Sequence, residues 1–371
     1  MHAVHLTSVH PRYDIRILTK QCRSLAASGY LVSLVVADGD GDETDTEKAV
    51  SIYDIGGSKG RLDRIRNAPH KVYRKALELD GDIYHLHDPE LIPIGLKLKK
   101  LGKVVIFDSH EDIPKQILAK SYLNFPSKWL LSKVFSLYER WACNKFDAVI
   151  SATPFIREKF EFIGISSVEI NNYPILGDFV KSSGERREKK LQVTYVGGIE
   201  RIRGVQEIVQ AISLVRPDIR FILAGTFSDD GFEREVTSEL GWRRTDYRGW
   251  LGRTCVSDLL NESMAGLVTL HPLTNYLDAL PVKMFEYMAA GLPVISSDFP
   301  LWNRIIEGNK CGLCVNPLSP TAIAEAIEFV LTNPTEAEQM GANGRRAVRE
   351  QYNWDLEKVK LVKLYEDLLR D

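Results

Sequence analysis

Lys283 and Glu286, within LPVKMFEYMAAGLPVIS from Leu280 to Ser296, are the side chains of this sequence best spaced for chemistry. Pro281 opens a helix, Gly291 stops it, and Leu292–Ser296 reads as the buried strand that follows. Three residues apart, Lys283 and Glu286 share a helix face about one turn in, while Phe285, Met288 and Ala289 lie on the side that suits a sheet. A helix start carries unpaired N–H groups and the positive end of the dipole, so phosphate binds well there. A carboxylate one turn further on can accept hydrogen bonds from sugar hydroxyls, and the arrangement fits a nucleotide-sugar diphosphate. The same spacing also describes a solvated surface pair contributing roughly 0.3 kcal/mol, so the helix by itself does not decide between them.

Three further polar clusters close predicted strands. Ala3–Thr7 is followed by SVHPRYDIR, which offers His10, Arg12, Asp14 and Arg16. Asp82–Leu86 runs into His85, His87 and Asp88, and Val104–Phe107 into Asp108-Ser109-His110-Glu111-Asp112. Ligands of open α/β sheets collect beyond the carboxyl ends of the strands, so three polar strand ends weigh more than any one. HLHD admits a metal reading; with no HExxH or equivalent spacing in the sequence, no metal is assigned. DGDGDETDTE, from Asp38 to Glu47, is read as an exposed loop, because the twelfth position of a calcium loop falls on Ala49. Cys311 and Cys314 form a lone CxxC that reads as strand, and five scattered cysteines suit a reducing compartment.

The elements that must position these residues are apolar runs alternating with helix-period stretches, the pattern of parallel sheets covered by helices. A chain of 371 residues is expected to form two domains. Asn171–Lys190 has no sustained period and a Gly/Ser/charge bias, so it reads as the connection between them. The boundaries expected are 1–175, a linker over 176–190, 191–353, and a last helix over 354–371. Hydrophobic content of 44%, charged content of 26% and a net charge of −2 describe an ordinary globular protein and give no case for nucleic acid. No signal peptide and no membrane-spanning stretch is read in the sequence, and a cytoplasmic location is expected. Ser127–Lys145 carries Leu130, Val134, Leu137, Tyr138 and Trp141 on one stripe, widened by Trp129, Leu131 and Phe135 and edged by Lys128, Lys133, Arg140 and Lys145. That stripe describes a core helix packed on the sheet, or a face laid against an anionic membrane surface. From Lys97 to Lys159 twelve Lys/Arg stand against six Asp/Glu, which favours the membrane.

PVKMFEYMAAGLPVIS resembles the donor-binding segment of GT-B glycosyltransferases in the retaining family 4, also called group 1. There a Glu, seven residues and a second Glu precede an A-x-G-x-P-V run; Glu286 matches the second Glu and Asp278 occupies the first position. Pro281 stands where relatives often have Gly. Val196-Gly197-Gly198-Ile-Glu-Arg201-Ile-Arg203-Gly204 is similar to the family's phosphate-contacting loop, with Arg203 at the place of its Lys, Gly198 at the place of its Arg, and Arg201 nearby as a substitute. Glycines there let the backbone approach a ligand, although tight turns need glycine too. Tyr247–Leu251 resembles the segment that carries the nucleobase near Gly249; Trp250 belongs to it or to a core. His271, at a strand end beside the helix, lies near the sugar or caps a loop. VIFDSHED resembles the loop whose His, here His110, lies close to the sugar's anomeric carbon. The family's Gly-Gly loop after the first strand is missing, and SVHPRYDIR takes its place.

The resemblance implies two Rossmann-like parallel-sheet domains facing each other across a cleft, with the last helix crossing back onto the first. It implies a retaining transfer of a hexose-type sugar from a nucleoside-diphosphate-sugar (UDP or GDP), used as co-substrate with no cofactor, to a hydroxyl acceptor, either a lipid-linked or a polysaccharide/cell-surface glycan intermediate, in the cytoplasm or at the inner face of the membrane. Arg203 and Lys283 would stabilise the diphosphate leaving group, Glu286 would hold ribose hydroxyls and His110 would position the sugar. Gly197, Gly198, Arg201, Gly249, Trp250, His271 and Asp278 would complete the donor side. His10, Arg12, Asp14, Arg16, His87, Asp88 and Glu111 are assigned to the acceptor side. Two alternatives share the fold: a nucleotide-sugar 2-epimerase, and a catalytically silent subunit that binds sugar nucleotides.

Overall fold

The computed structural model of the chain describes residues 1–47, 49–119, 124–179 and 189–370. Short apolar runs bounded by polar ends build sheets that helices cover on both faces. Among the described residues the first sheet has eight strands: β1 His2–Leu6, β2 Leu31–Val36, β3 Glu43–Asp45, β4 Val50–Asp54, β5 Ile83–Leu86, β6 Val104–Ser109, β7 Ala148–Ser151 and β8 Val168–Glu169. Their order is β3-β4-β2-β1-β5-β6-β7-β8, with only the β3–β4 pair antiparallel. The second has six parallel strands: β9 Gln192–Val196, β10 Arg220–Ala224, β11 Thr245–Tyr247, β12 Ala265–Val268, β13 Val294–Ser297 and β14 Gly312–Val315, in the order β11-β10-β9-β12-β13-β14.

Two compact units result, one of Met1–Asn172 with Leu356–Asp371, the other of Tyr173–Asp355. Most of the 176–190 stretch read as a linker falls on 180–188, outside the described residues. In the first unit Val4, Leu6, Tyr84, Leu86, Val105 and Phe107 form one core face. Side chains alternate along a strand, so His5, His85 and His87 occupy the opposite face of the same strands, with His5 directly opposite His85. Helix Trp354–Leu368 covers that face and brings Tyr365 to the histidines. The second unit has a core on each side of its sheet, one around Tyr195, Ile208 and Phe221, the other around Phe285, Met288 and Trp302.

Two helices differ from the sequence expectation. Arg16–Ser28 reads as one α-helix, but Ile15–Cys22 winds as a π-helix before Arg23–Ala27 turns α-helical. Bonding from i to i+5 brings residues five apart onto one line, and Arg16 and Gln21 both reach the buried carboxylate of Asp108. Helix Phe125–Cys143 meets the core-helix reading only in part: Phe135 and Tyr138 of the stripe pack against the core, and the rest of the stripe faces outward. Leu130, Val134, Leu137 and Trp141 are 57%, 56%, 68% and 54% exposed, whereas Ser132 and Glu139 are buried. Polar partners fix that orientation: Glu139 pairs with Lys159 at 2.6 Å, and the Ser132 hydroxyl donates to the Pro114 carbonyl at 3.0 Å. Helical periodicity reveals an apolar stripe but not the side on which the protein lies. Among the described residues no helix is long and apolar enough to cross a membrane.

Candidate functional site

In the second unit the ends of three neighbouring strands are glycine turns. Gly197 after β9, Gly225 after β10 and Gly249 beyond β11 have φ of 134°, 146° and 61°, which L side chains rarely adopt. Gly197 N–H donates to the Ala224 carbonyl at 2.9 Å and Gly225 N–H to the Gly249 carbonyl at 2.7 Å. A Cβ at Gly225 would lie 1.9 Å from the Gly197 carbonyl oxygen, so the turns pack backbone against backbone.

Against this rim stands the start of helix Val282–Ala290, whose first turn has no side-chain cap. Val196 N–H donates to the Tyr287 hydroxyl at 2.9 Å, and the Tyr287 ring fills the space a side chain at Gly266 would need, fixing the helix on the sheet. Lys283 is thereby laid over the first turn: a Cβ at Gly197 would be 2.6 Å from its Nζ. That amine sits 3.7 Å from the centroid of the Tyr195 ring and is enclosed, with no hydrogen-bond partner among the described residues. Burial pushes its pKa well below the ordinary lysine value, the Arg203 charge adds to this, and Glu286 and Glu200 oppose it. Arg203 lies 3.4 Å from Glu200 through Nε, and its Cζ is 3.7 Å from where a Cβ at Gly198 would stand. The arrangement gathers two cationic side chains, a glycine turn and an open helix start, the ingredients of an anion site.

The first unit holds a different constellation. Asp108, at the end of β6, is fully buried and accepts from Arg16 Nε at 3.1 Å and Nη2 at 2.7 Å, and from Gln21 Nε2 at 2.7 Å. Although burial opposes ionisation, Arg16 and the neighbouring histidines hold its pKa well below the ordinary value. His110 Nε2 is 3.3 Å from the same carboxylate and 3.3 Å from His87 Nδ1. Asp88 accepts from the Thr7 hydroxyl at 2.8 Å and Ser8 N–H at 2.6 Å and lies 3.4 Å from His10 Nε2. Two groups bring ligand-type atoms within 4.8 Å of one another, His5/His85/His87 and His87/Asp108/His110.

The family description "Glycosyltransferase Family 4" matches residues 16–171, and "Glycosyl transferases group 1" matches residues 178–347. The chain is a group 1, family 4 glycosyltransferase. Its fold is GT-B. Phosphatidyl-myo-inositol mannosyltransferase of Mycobacterium leprae is 24% identical, over 84% of this chain and 80% of that one. Sucrose-phosphate synthase from Thermosynechococcus elongatus superposes with a TM-score of 0.80 at 18% identity, covering 100% and 99% of the two chains. The Anabaena protein HepE, solved with UDP-glucose, gives 0.72 at 12% identity over 99% and 100%.

In this glycosyltransferase Gly197, Gly198, Arg203 and Lys283 come together. Arg201 does not join them: its guanidinium pairs with Glu235, bonds Gln206 at 3.1 Å and stacks over Phe232. His271 is joined to Glu207 at 3.1 Å, and its N–H donates to the Ile202 carbonyl at 2.9 Å. Asp278 is half-buried in the loop before the helix. Trp250 is 78% exposed, which removes the core reading for it. On the other unit Arg12 is engaged by Asp38 at 2.7 Å and Glu43 at 3.1 Å, so Asp38 of the acidic loop serves as an ion-pair partner. Arg16 is buried against Asp108, Asp14 caps the π-helix through Ile17 N–H, and Glu111 is exposed. Cys311 is buried and Cys314 lies in β14, both as free thiols.

Three residues escaped the sequence reading. Arg253 stands 3.6 Å from the Glu286 carboxylate while donating to Asp178 at 2.7 Å; its only signal was a position just after the YRGWL segment. Gly225 closes the glycine rim, and a glycine directly after the β10 run was there to be noticed. The hydroxyl of Tyr365 had no signal, since its partners His5 and His85 are 360 and 280 residues away.

Proposed function

We propose that this glycosyltransferase moves a sugar from a nucleoside-diphosphate-sugar to a hydroxyl acceptor with retention at the anomeric carbon. The observation that carries this is the enclosed, unpartnered amine of Lys283 beside the Gly197 turn. Leaving such a group unsatisfied costs about 1–3 kcal/mol, and a diphosphate supplies the missing partner. Lys283 and Arg203 then stabilise charge as it builds on the departing diphosphate, electrostatic catalysis by groups already in place. Glu286, held by Arg253, accepts from ribose hydroxyls. HepE was solved with UDP-glucose, which supports this donor class. In this reading the acceptor hydroxyl loses its proton to the departing phosphate on the same face, and His110 holds the sugar. The nucleotide sugar is a co-substrate, and no separate cofactor enters.

The outward stripe of helix Phe125–Cys143 favours a lipid-bearing acceptor. Trp129, Leu130, Leu137 and Trp141 are exposed beside Lys128, Lys133 and Arg140, the composition of a helix lying in an anionic bilayer surface. The mannosyltransferase relative is named for a phosphatidylinositol acceptor, which supports the same class.

A thermal-shift panel of nucleoside diphosphates and their sugars tests the donor, because a ligand bound only by the native state raises its melting temperature. One nucleotide series should stabilise selectively; no shift with any of them sinks the reading. Replacing Trp129 and Lys133 together should release the protein from phosphatidylglycerol vesicles. Failure of the parent to sediment with those vesicles removes the membrane assignment.

A further inference from the structure

We infer that Tyr365, His5, His85 and His87 are positioning residues that fix His110 in its Nε2–H tautomer and leave Nδ1 as the acceptor for a substrate hydroxyl. The hydroxyl-binding part rests on the function proposed above; the proton order rests on the geometry and on neutral rings at His5, His85 and His87.

The argument starts at Asp108, whose carboxylate is engaged by Arg16 and Gln21. Of the ring nitrogens near this carboxylate the closest, His110 Nε2, is the one that carries a proton toward it, and a neutral imidazole has only one N–H. His110 therefore presents Nε2–H to Asp108 Oδ2 and to His87 Nδ1, each at 3.3 Å. His87 Nδ1 accepts, so its proton is on Nε2, which donates to His5 Nδ1 at 2.9 Å. His5 then carries Nε2–H, 3.2 Å from the Tyr365 hydroxyl. That hydroxyl donates to His85 Nδ1 at 2.8 Å, which leaves His85 Nε2–H facing Asp108 Oδ2 at 3.7 Å. The run begins on the Asp108 carboxylate and its last ring faces that carboxylate again, at a distance too long for a hydrogen bond. This order turns one lone pair toward the charge, that of His87 Nδ1 at 3.7 Å; reversed, it would turn two, those of His110 Nε2 at 3.3 Å and His85 Nε2 at 3.7 Å.

The order needs His5, His85 and His87 neutral, and their surroundings favour that. Burial pushes His5 and His87 well below the ordinary histidine value and lowers His85 too, with the neighbouring imidazoles adding to the effect at His5 and His87. Burial also raises the Tyr365 phenol well above its ordinary value, so it keeps its proton. The other groups facing the set are Arg16 and Gln21 on the π-helix, Cys22 and Tyr30 near Tyr365, and His10 with Asp14 and Asp88 beside His110. A metal fits less well. The rings of His85 and His87 stack at 4.5 Å and 17°, so their in-plane lone pairs run side by side rather than toward one point. Asp108, in the second group, already accepts from Arg16 and Gln21.

Two-bond 1H–15N spectra of the full chain labelled at histidine nitrogen read the tautomers directly. At pH 7.5 His5, His85, His87 and His110 should all be neutral Nε2–H rings. Tyr365→Phe keeps the ring and removes the bridge; it should move the His110 nitrogen shifts toward a tautomer mixture and lower kcat about tenfold with the donor KM unchanged. An Nδ1–H signal at His110 in the parent overturns the inference. So does a cationic ring among the four, one equivalent of bound zinc, or His110 signals indifferent to Tyr365→Phe. The parent spectrum decides the proton order even if the variant fails to fold. Four Nε2–H rings in a chain that transfers no sugar would uphold the proton order and tell against the proposed function instead.

Discussion

In the second unit the amine of Lys283 is enclosed with a tyrosine face and a glycine backbone beside it and no hydrogen-bond partner among the described residues. In the first, the carboxylate of Asp108 is enclosed together with Arg16, Gln21 and His110. Both are ionisable groups whose charged form water would stabilise and burial penalises. The first unit answers that penalty internally, through a guanidinium, an amide and a run of imidazoles. The second leaves it standing for a ligand to relieve. The Asp108 carboxylate has its partners within the chain and the Lys283 amine is poised, which separates groups that shape a site from groups that bind in it.

That contrast can be broken most sharply at Lys283. Lys283→Met should lower the transfer rate by about 10²- to 10³-fold, the size of effect seen when a group aimed at developing charge is lost. In the parent, a bound diphosphate should restore the proton that burial disfavours, so calorimetric titration with UDP near neutral pH should show proton uptake. Binding heats that do not change between buffers of different ionisation enthalpy would place Lys283 in the same class as Asp108.

Acid should expose the other side of the comparison. His5, His85 and His87 have folded-state pKa values below the unfolded value near 6.5, so the unfolded chain binds more protons as pH falls past 6.5. Their stabilising contribution is complete above that pH and declines below it, by up to about 1.4 kcal/mol per pH unit for each ring. The melting temperature should therefore drop steeply between pH 6.5 and 5. A flat profile there would mean the imidazoles are not held neutral. The smallest effect is expected at Glu286, which already has Arg253 beside it: Glu286→Ala should weaken donor binding by about 1–3 kcal/mol, and unchanged affinity would remove the ribose assignment.

How much of this was legible in the sequence follows from the range of each interaction. Lys283, Glu286, Gly197 and Arg203 were readable because helix periodicity and strand-turn-helix order are local, and a family resemblance marked the same segments. The alternation of strands and helices was readable for the same reason. Arg201 and Arg203 could not be separated, since two residues of spacing on a short helical turn do not say which side chain meets Glu235. The direction of helix Phe125–Cys143 depended on Lys159, and the π-winding of Ile15–Cys22 on Asp108, both far along the chain. Tyr365 read only as one of the apolar positions of the last helix, because the role of its hydroxyl exists only once that helix has docked.

The order in which the chain is made matters for that last point. Unit one is split: Met1–Asn172 precede the second unit in the chain, but Glu357, which accepts from Asn171 N–H at 2.8 Å, and Tyr365 are made only after it. The intervening block, Tyr173–Asp355, is continuous and can complete its own core while synthesis is still under way. The histidine-bearing sheet must wait with its polar face uncovered until helix Trp354–Leu368 has been made, so changes in that helix act on an earlier-made part of the protein.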